Sequence, residues 1–144
     1  APDPTARGAT MAMRKAMADA DIAADEVDYI AAHGTSTPLN DLTETRAIKA
    51  AMGDHAHKVA VSAPKSMVGH MIGAAGVVGA IAAVGAIREG VIPPTINYDD
   101  PDLPELDLDY DPNIAREARI DTAMINGFGF GGQNAVAIFR RFTE

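Results

Sequence analysis

The sequence has no cysteine among its 144 residues. This absence excludes disulfides, zinc–thiolate sites and any thiol nucleophile within the chain. Basic residues are also few, because 12 lysines and arginines stand against 20 aspartates and glutamates and leave a net charge of −8. A chain without a basic run is poorly suited to neutralising phosphates, so nucleic acid is not an expected partner. No signal-peptide pattern opens the sequence, and a cytoplasmic location is the resulting expectation.

Apolar residues, by contrast, make up 47% of the chain. At this length they predict one domain spanning residues 1–144, with enough material for a core. Helical and strand patterns follow one another along the chain and predict an α/β fold. The first expected element is an amphipathic surface helix over residues 5–20. Buried strands are expected at 27–32, 59–61, 122–126 and 135–141, and a short edge strand within an acidic loop at 106–110.

Residues 71–87 form the longest uncharged stretch, since no charge occurs between Gly69 and Arg88. A helix of this composition is expected to be buried on every face, inside a layered α/β core. Its many glycines and alanines make it only weakly hydrophobic, so a membrane span is not expected. Glycines spaced three apart lay a ridge without side chains along one side, where a neighbouring element can come close: Gly73, Gly76 and Gly79.

His70 stands at the start of this helix, shortly after Lys65. The positive end of the helix dipole and a nearby ammonium both disfavour an imidazolium. We therefore expect His70 to stay neutral and to offer an N–H to a developing oxyanion. The alternative is a histidine that merely caps or packs.

A second polar loop follows the strand at 27–32 and contains His33, Thr35 and Thr37. Ligands of open α/β sheets bind beyond the carboxyl ends of the strands, so this loop is a candidate binding site. A simple turn, in which the hydroxyls satisfy backbone groups, explains the same residues equally well.

Asp41 and Glu44 open the next predicted helix at capping-box spacing, which by itself favours a structural role. His55 and His57 lie in a polar loop with no third ligand in the sequence around them, which makes a poor metal site. Neither a metal nor a cofactor is expected.

The last candidate loop, residues 127–134, joins the two C-terminal strands and contains four glycines around two phenylalanines. Such a backbone can adopt conformations that are closed to other residues. It can also swing a phenyl ring, here that of Phe130.

With His33, Lys65, His70 and Phe130 on three strand-end loops, the chain resembles the β-ketoacyl-acyl-carrier-protein synthases, closest to the type II synthases of bacterial fatty-acid synthesis. The resemblance covers essentially the whole chain, as the C-terminal part of the family's longer polypeptide. It rests on four motifs in order: HGTSTPLND (33–41), KSMVGH followed by GAAG (65–76), VIPPTINYDDPD (91–102) and NGFGFGGQN (126–134).

The resemblance implies a thiolase-like fold, in which two similar α/β halves stack in five α-β-α-β-α layers. This chain would be the C-terminal half without its first strand. The implied reaction is a decarboxylative Claisen condensation in fatty-acid elongation. Malonyl-acyl-carrier protein loses carbon dioxide, and the resulting carbanion attacks an acyl group held as a thioester on a cysteine. The complete enzyme is expected to be a homodimer.

The same resemblance implies roles for three basic side chains. His33 and His70 would bind the malonyl thioester carbonyl and stabilise the enolate. Lys65 would order His70 and its surroundings through charge and hydrogen bonds. Neutral N–H donors are what this role needs, in agreement with the electrostatic argument for His70.

Further roles are implied for five polar and aromatic residues. Asp41 and Glu44 would join the hydrogen-bonding network behind the histidines, which promotes them above mere caps. Thr35 and Thr37 would contact the pantetheine arm of the acyl carrier protein. Phe130 would gate the site and add its backbone N–H to the acyl oxyanion hole.

Two departures from the family pattern stand out. Gly127 replaces the usual serine before the first phenylalanine of the loop, which would loosen the gate. The nucleophilic cysteine is absent, because in the family it lies in the N-terminal half. The chain is therefore expected to be one piece of a synthase, active only with a cysteine-bearing N-terminal portion.

Three other functions compete with this one. A non-catalytic partner, similar to the chain-length factors of aromatic polyketide systems, would have no need of two neutral oxyanion donors. Thiolases normally carry a second cysteine in place of one histidine. Ketosynthases of polyketide modules share the histidine and lysine set, and they stay open as an alternative.

Overall fold

The computed structural model describes residues 3–101, 103–129 and 131–143. Short 3₁₀ turns also occur at Ala24–Glu26, Gly53–His57 and Ile72–Ala74. In chain order the helices and strands are α1 (Arg7–Asp19), β1 (Tyr29–Ala31), α2 (Pro38–Met52), β2 (Ala60–Ser62), α3 (Lys65–Val68), α4 (Ala75–Glu89), β3 (Val91–Ile92), β4 (Arg116–Glu117), β5 (Thr122–Phe128) and β6 (Asn134–Arg140).

Four strands form the main sheet in the order β2-β1-β5-β6. The first three run parallel, with Tyr29 of β1 opposite both Ala60 of β2 and Ala123 of β5. β6 is antiparallel to β5, as a short connection allows. β3 and β4 pair separately as a small antiparallel ribbon. The carboxyl ends of β1, β2 and β5 consequently meet at one edge of the sheet.

Helices cover both faces of this sheet. Successive side chains along a strand point to opposite faces, and here both sets are apolar and need cover. On β1, Ile30 packs against Met13 of α1 and Ile48 of α2. Its neighbours Tyr29 and Ala31 point to the other face and pack in the cluster that contains the buried side of α4. The described residues therefore form three layers, helix, sheet and helix, which are a portion of the layered α/β fold that the sequence predicts.

Of the two C-terminal strands, β5 is two residues longer than predicted, and β6 has the predicted length but begins and ends one residue earlier. The pairing of β5 with β6 continues to Phe128 and Asn134, which leaves a connection of only five residues, 129–133. Gly131 and Gly132 within it have φ angles of 82° and 81°, a region that glycine adopts without strain.

The predicted edge strand at 106–110 is wrong, because no strand is assigned there. This segment makes one backbone bond to the sheet, from the Val61 N–H to the Asp109 oxygen at 2.8 Å. Its carboxylates bind cations instead: Asp107 pairs with Lys49, and Asp109 with Arg116. Ion pairs, and not strand pairing, hold this segment in place. It is part of the irregular stretch between β3 and β4, residues 93–101 and 103–113, which we call the strap.

The prediction that the long helix is buried on all sides is also wrong for the described chain. α4 buries only Ala83, Ala86 and Ile87. On the opposite side Val77 and Ile81 are 63% and 66% exposed. The sheet covers one side of the helix, and among the described residues no second layer covers the other.

By length and composition alone, Ile72–Glu89 could cross a membrane, with a mean hydropathy of 1.5. One such helix is weak evidence, since core helices of globular proteins meet the same criterion. The expectation that this helix does not span a membrane, drawn from its many glycines and alanines, stays a prediction.

Candidate active site

The predicted site residues lie at the sheet edge where the parallel strands end. His33 follows β1, and Lys65 and His70 follow β2. Gly34 makes the approach of these two loops possible, because its φ is 41° and a Cβ there would lie 2.5 Å from the Ala63 Cβ. Only glycine fits both constraints.

The two histidines face each other across this edge. Their ring centroids are 5.8 Å apart, with planes at 85°. The ring of Phe128, at the end of β5, lies 5.6 Å from the His33 ring and closes the other side. This edge-on pair can direct N–H groups from two loops toward one oxygen atom.

His33 is held in its neutral form. Burial of the half-exposed ring lowers its pKa to about 4, and the charges of Lys65 and His70 act in the same direction. A histidine whose pKa is lowered by folding stays neutral from neutral pH down to about its lowered pKa. His33 is therefore an N–H donor, not a cation, under physiological conditions.

The tautomer of His70 is fixed by its own chain. The Ile72 backbone N–H donates to His70 Nδ1 at 3.1 Å. Nδ1 must be unprotonated to accept this bond, so the proton of the neutral ring lies on Nε2. In this geometry Ile72 has a φ of 48°, which lies in a region that β-branched residues rarely adopt. The unfavourable backbone conformation at Ile72 thus leaves His70 Nε2 as the ring nitrogen that can donate a hydrogen bond.

We expect the neutral His70 ring to be the Nε2–H tautomer. The Ile72 N–H blocks protonation at Nδ1, whereas solvent around an unconstrained ring would allow both forms. Nitrogen-15 NMR of labelled histidine, recorded above the titration range, distinguishes a protonated from a bare ring nitrogen. A His70 signal showing hydrogen on Nδ1 would contradict the assignment.

Glu44 binds the loops of the site together. Its side chain is 4% exposed, and its oxygens accept the His33 N–H at 2.8 Å and the Gly34 N–H at 2.9 Å. A third donor is the Asn126 amide at the end of β5, 3.0 Å away. Burial raises the pKa of Glu44, while these three donors favour the carboxylate and oppose the shift.

The capping-box interpretation of Asp41 and Glu44 is therefore wrong. α2 begins earlier, at Pro38, which suits the first helical turn because it lacks an N–H. Thr37, just before it, is extended and makes no side-chain cap. Asp41 lies within the first turn, where it accepts a bond from the Asn40 amide at 3.1 Å.

Lys65 and the two threonines occupy different parts of the site. Lys65 is half-buried, and its burial lowers the pKa of the ammonium while the charge of Glu44 raises it. The hydroxyls of Thr35 and Thr37 lie 3.1 Å apart on the more exposed side of the His33 loop. The structure thus separates an inner cation from an outer pair of hydroxyls.

A cavity of about 190 Å³ adjoins these residues. Lys65, His70 and Thr35 line it on the side of the site. Tyr98 and Tyr110, from the irregular strap, line it as well. The inner face of the site therefore opens into space between α2 and the strap.

Sequence reasoning missed Phe128 and Asn126 as site residues. Both belong to the NGFGFGGQN motif, which would have indicated them had the whole motif been placed at the strand end. Phe130, the predicted gate, lies outside the described residues. Among the residues that the structure describes, no group of three or more histidine, aspartate and glutamate side chains is arranged to hold a metal ion.

Comparison with known proteins points to a single family. The family described as "Beta-ketoacyl synthase, C-terminal domain" matches residues 1–99. The 3-oxoacyl-[acyl-carrier-protein] synthase 2 of Coxiella burnetii (strain RSA 493 / Nine Mile phase I) is 55% identical over 143 residues, covering 99% of this chain and 34% of the relative. The chain thus spans about a third of the length of this relative.

Solved structures agree. The ishigamide ketosynthase/chain length factor superposes with a TM-score of 0.92 at 42% identity, over 96% of this chain and 34% of that one. A ketosynthase of a type II polyketide synthase, in complex with its acyl-carrier protein, superposes with a TM-score of 0.87 at 38% identity. The match covers 94% of this chain and 34% of that one. These similarities confirm the predicted fold class, a portion of the thiolase-like fold.

Proposed function

The chain belongs to the β-ketoacyl synthase family, and we propose that it is the histidine-bearing part of a 3-oxoacyl-[acyl-carrier-protein] synthase. The observation that carries the proposal is the His33–His70 pair, whose rings lie 5.8 Å apart at the strand ends. Two imidazoles that face each other, with the His33 ring held neutral, suit a carbonyl oxygen that becomes an oxyanion.

The proposed reaction begins at the thioester carbonyl of a malonyl-carrier protein. N–H groups of His33 and His70 hold its oxygen. The bond to the carboxylate carbon breaks, carbon dioxide leaves, and the electron pair moves into the enolate that the histidines stabilise. The enolate carbon then attacks an acyl thioester and expels the cysteine thiolate. Neutral rings are needed because an imidazolium would protonate the carbanion.

The cysteine in this scheme comes from another portion of the synthase, because this chain has none. The uncovered side of α4 is where we propose that portion packs. Val77 and Ile81 present exposed apolar surface there, and Ile72, in the turn before α4 and two residues after His70, is exposed as well. Covering this side would remove it from water and place the cysteine-bearing portion beside the histidines.

The proposed partner in solution is an acyl carrier protein. A ketosynthase of similar structure is described in complex with its carrier. Thr35 and Thr37 lie on the outer side of the site, where a pantetheine arm would enter and where their hydroxyls can bind its amides. Phe130 keeps its predicted role as the gate, on the evidence of its glycine-rich loop alone.

Fatty-acid elongation is the pathway we propose, with a homodimer as the complete enzyme. The Coxiella relative bears the name of a carrier-protein synthase, which supports this choice. A polyketide ketosynthase is the second candidate, because one of the structural neighbours reported above is the ketosynthase of a type II polyketide synthase. A non-catalytic chain-length factor is disfavoured by the facing histidine pair, because a partner without chemistry has no need of two such donors.

The test uses the assembled synthase, which we define as this chain together with the cysteine-bearing portion. With acyl- and malonyl-carrier protein it should release carbon dioxide and form a 3-oxoacyl-carrier protein, measured by mass spectrometry. The chain alone should form no condensation product, because no thiol can hold the acyl group. An assembled synthase that acylates its cysteine but never decarboxylates malonyl thioesters would overturn the proposal.

A further inference from the structure

The strap, residues 93–101 and 103–113, runs from β3 past the outer edge of β2 and back toward β4. It is fixed to the body of the domain at several points. The Tyr110 hydroxyl bonds the Thr45 hydroxyl of α2 at 2.6 Å. Asp111, whose side chain is 4% exposed, pairs with Arg116 at 2.8 Å. The strap is therefore attached to both α2 and β4, and a neighbouring turn that binds the strap is held in place through it.

Two hydroxyls join the strap to the turn between β2 and α3. Thr95 Oγ1 accepts the Ala63 N–H at 3.0 Å and donates to the Tyr110 oxygen at 2.8 Å. Ser66 Oγ donates to the Ala63 oxygen at 2.8 Å and accepts the Ile96 N–H at 3.0 Å. Both polar groups of the Ala63 backbone are thus held by hydroxyls that also bind the strap.

The turn between β2 and α3, which these two hydroxyls hold, leads directly to Lys65, the cation of the site. Ala63 is followed by Pro64 and then by Lys65, the first residue of α3. Ala63 also packs against Gly34, the neighbour of His33. A shift of Ala63 away from the strap would therefore change the position of Lys65 relative to the His33 loop.

We propose that Thr95 is a positioning residue, which through Ala63 sets the distance between the Lys65 ammonium and the His33 imidazole. The inference rests on the proposed function, because decarboxylation needs a neutral His33 ring, and the charge of Lys65 adds to the burial that keeps this ring neutral. Without the Thr95 hydroxyl, the Ala63 N–H loses its acceptor and must turn to water. The half-buried ammonium of Lys65 then follows toward solvent, away from His33.

The consequence is measurable at His33 itself. The groups that face His33 are Lys65 of α3, His70 of the following loop and Glu44 of α2, which binds its backbone N–H; Phe128 of β5 adds an uncharged ring. Lys65 lowers the pKa of His33 by repulsion. Moving the ammonium away must raise this pKa toward its ordinary value.

The experiment is an NMR titration of labelled histidines in the assembled synthase. In Thr95→Val, which keeps the shape and removes the hydroxyl, His33 should titrate at least about half a pH unit higher than in the wild type. Thr95→Ser, which keeps the hydroxyl, should restore the wild-type value. Ser66→Ala removes the second bridge and should shift His33 in the same direction, should the valine variant fail to fold.

Thr10→Val is the matched control. Thr10 is buried on α1 and its hydroxyl donates to the Ala6 oxygen at 2.8 Å, so the same substitution removes a buried bond away from the site. It should lower stability and leave His33 unchanged. An unshifted His33 in both the Thr95→Val and Ser66→Ala variants, or an equal shift in the control, overturns the inference. A shifted His33 in an enzyme that never decarboxylates would leave positioning intact and overturn the proposed function instead.

Discussion

Alanine in place of His33 or His70 in the assembled synthase is expected to lower malonyl decarboxylation about 100-fold or more. Each replacement removes one of two N–H donors from the developing enolate oxygen, a loss of about 3 kcal/mol of transition-state stabilisation. The rate is measured as carbon dioxide released from malonyl-carrier protein. Acylation of the cysteine should continue, because the histidines act on the malonyl half-reaction.

Two further variants separate donor loss from general damage. His70→Gln keeps an amide N–H near the position of Nε2 and should retain more activity than His70→Ala. His55→Ala removes a histidine whose Nε2 contacts the Val27 oxygen at 2.8 Å, outside the strand-end loops, and should leave decarboxylation unchanged. If acyl transfer fell as far as decarboxylation in the alanine variants, the assignment of the pair would be wrong.

Much of this site could be predicted from the sequence, because the order of strands and loops along the chain determines where the site lies. Polar loops follow apolar strands at His33 and Lys65, and parallel strands bring their carboxyl ends to one edge. The burial of the sheet on both faces follows from its apolar strands, and the surface position of α1 follows from its amphipathic pattern. Such features depend on local sequence and on general rules of sheet geometry.

Other features could not be predicted, because they depend on contacts between distant segments. The spacing of Asp41 and Glu44 indicates a helix cap, and only the family resemblance implies that the Glu44 carboxylate joins the network behind the histidines. The His70 tautomer depends on a positive φ at Ile72, which intrinsic preference argues against. Which side of α4 is exposed could not be predicted, because composition alone does not reveal which layer covers a helix.

Glu44 is the residue through which these distant contacts meet. Its two oxygens receive N–H groups from His33, Gly34 and Asn126, which belong to two different strand ends. The histidine loop is therefore fixed by a side chain of α2 and not only by its own turn. Loss of this carboxylate should affect both folding and the placement of His33.

Glu44→Ala is expected to destabilise the assembled synthase by about 3 kcal/mol or more, because it leaves three N–H donors unpaired at a buried position and opens a void. Glu44→Gln keeps the volume but places an NH₂ group where an N–H donor now points. It should cost about 1–3 kcal/mol through one unsatisfied donor. Shifts in the urea midpoint measure both effects.

The decisive comparison is between stability and rate in the glutamine variant. With the His33 backbone no longer fully held, decarboxylation should fall even at urea concentrations and temperatures where the variant is folded. Glu89→Gln, at an exposed position near the end of α4, makes the same chemical change and should alter neither quantity. A Glu44→Gln enzyme with wild-type midpoint and wild-type rate would show that the carboxylate does not hold the histidine loop, and that the turn at Gly34 positions His33 unaided.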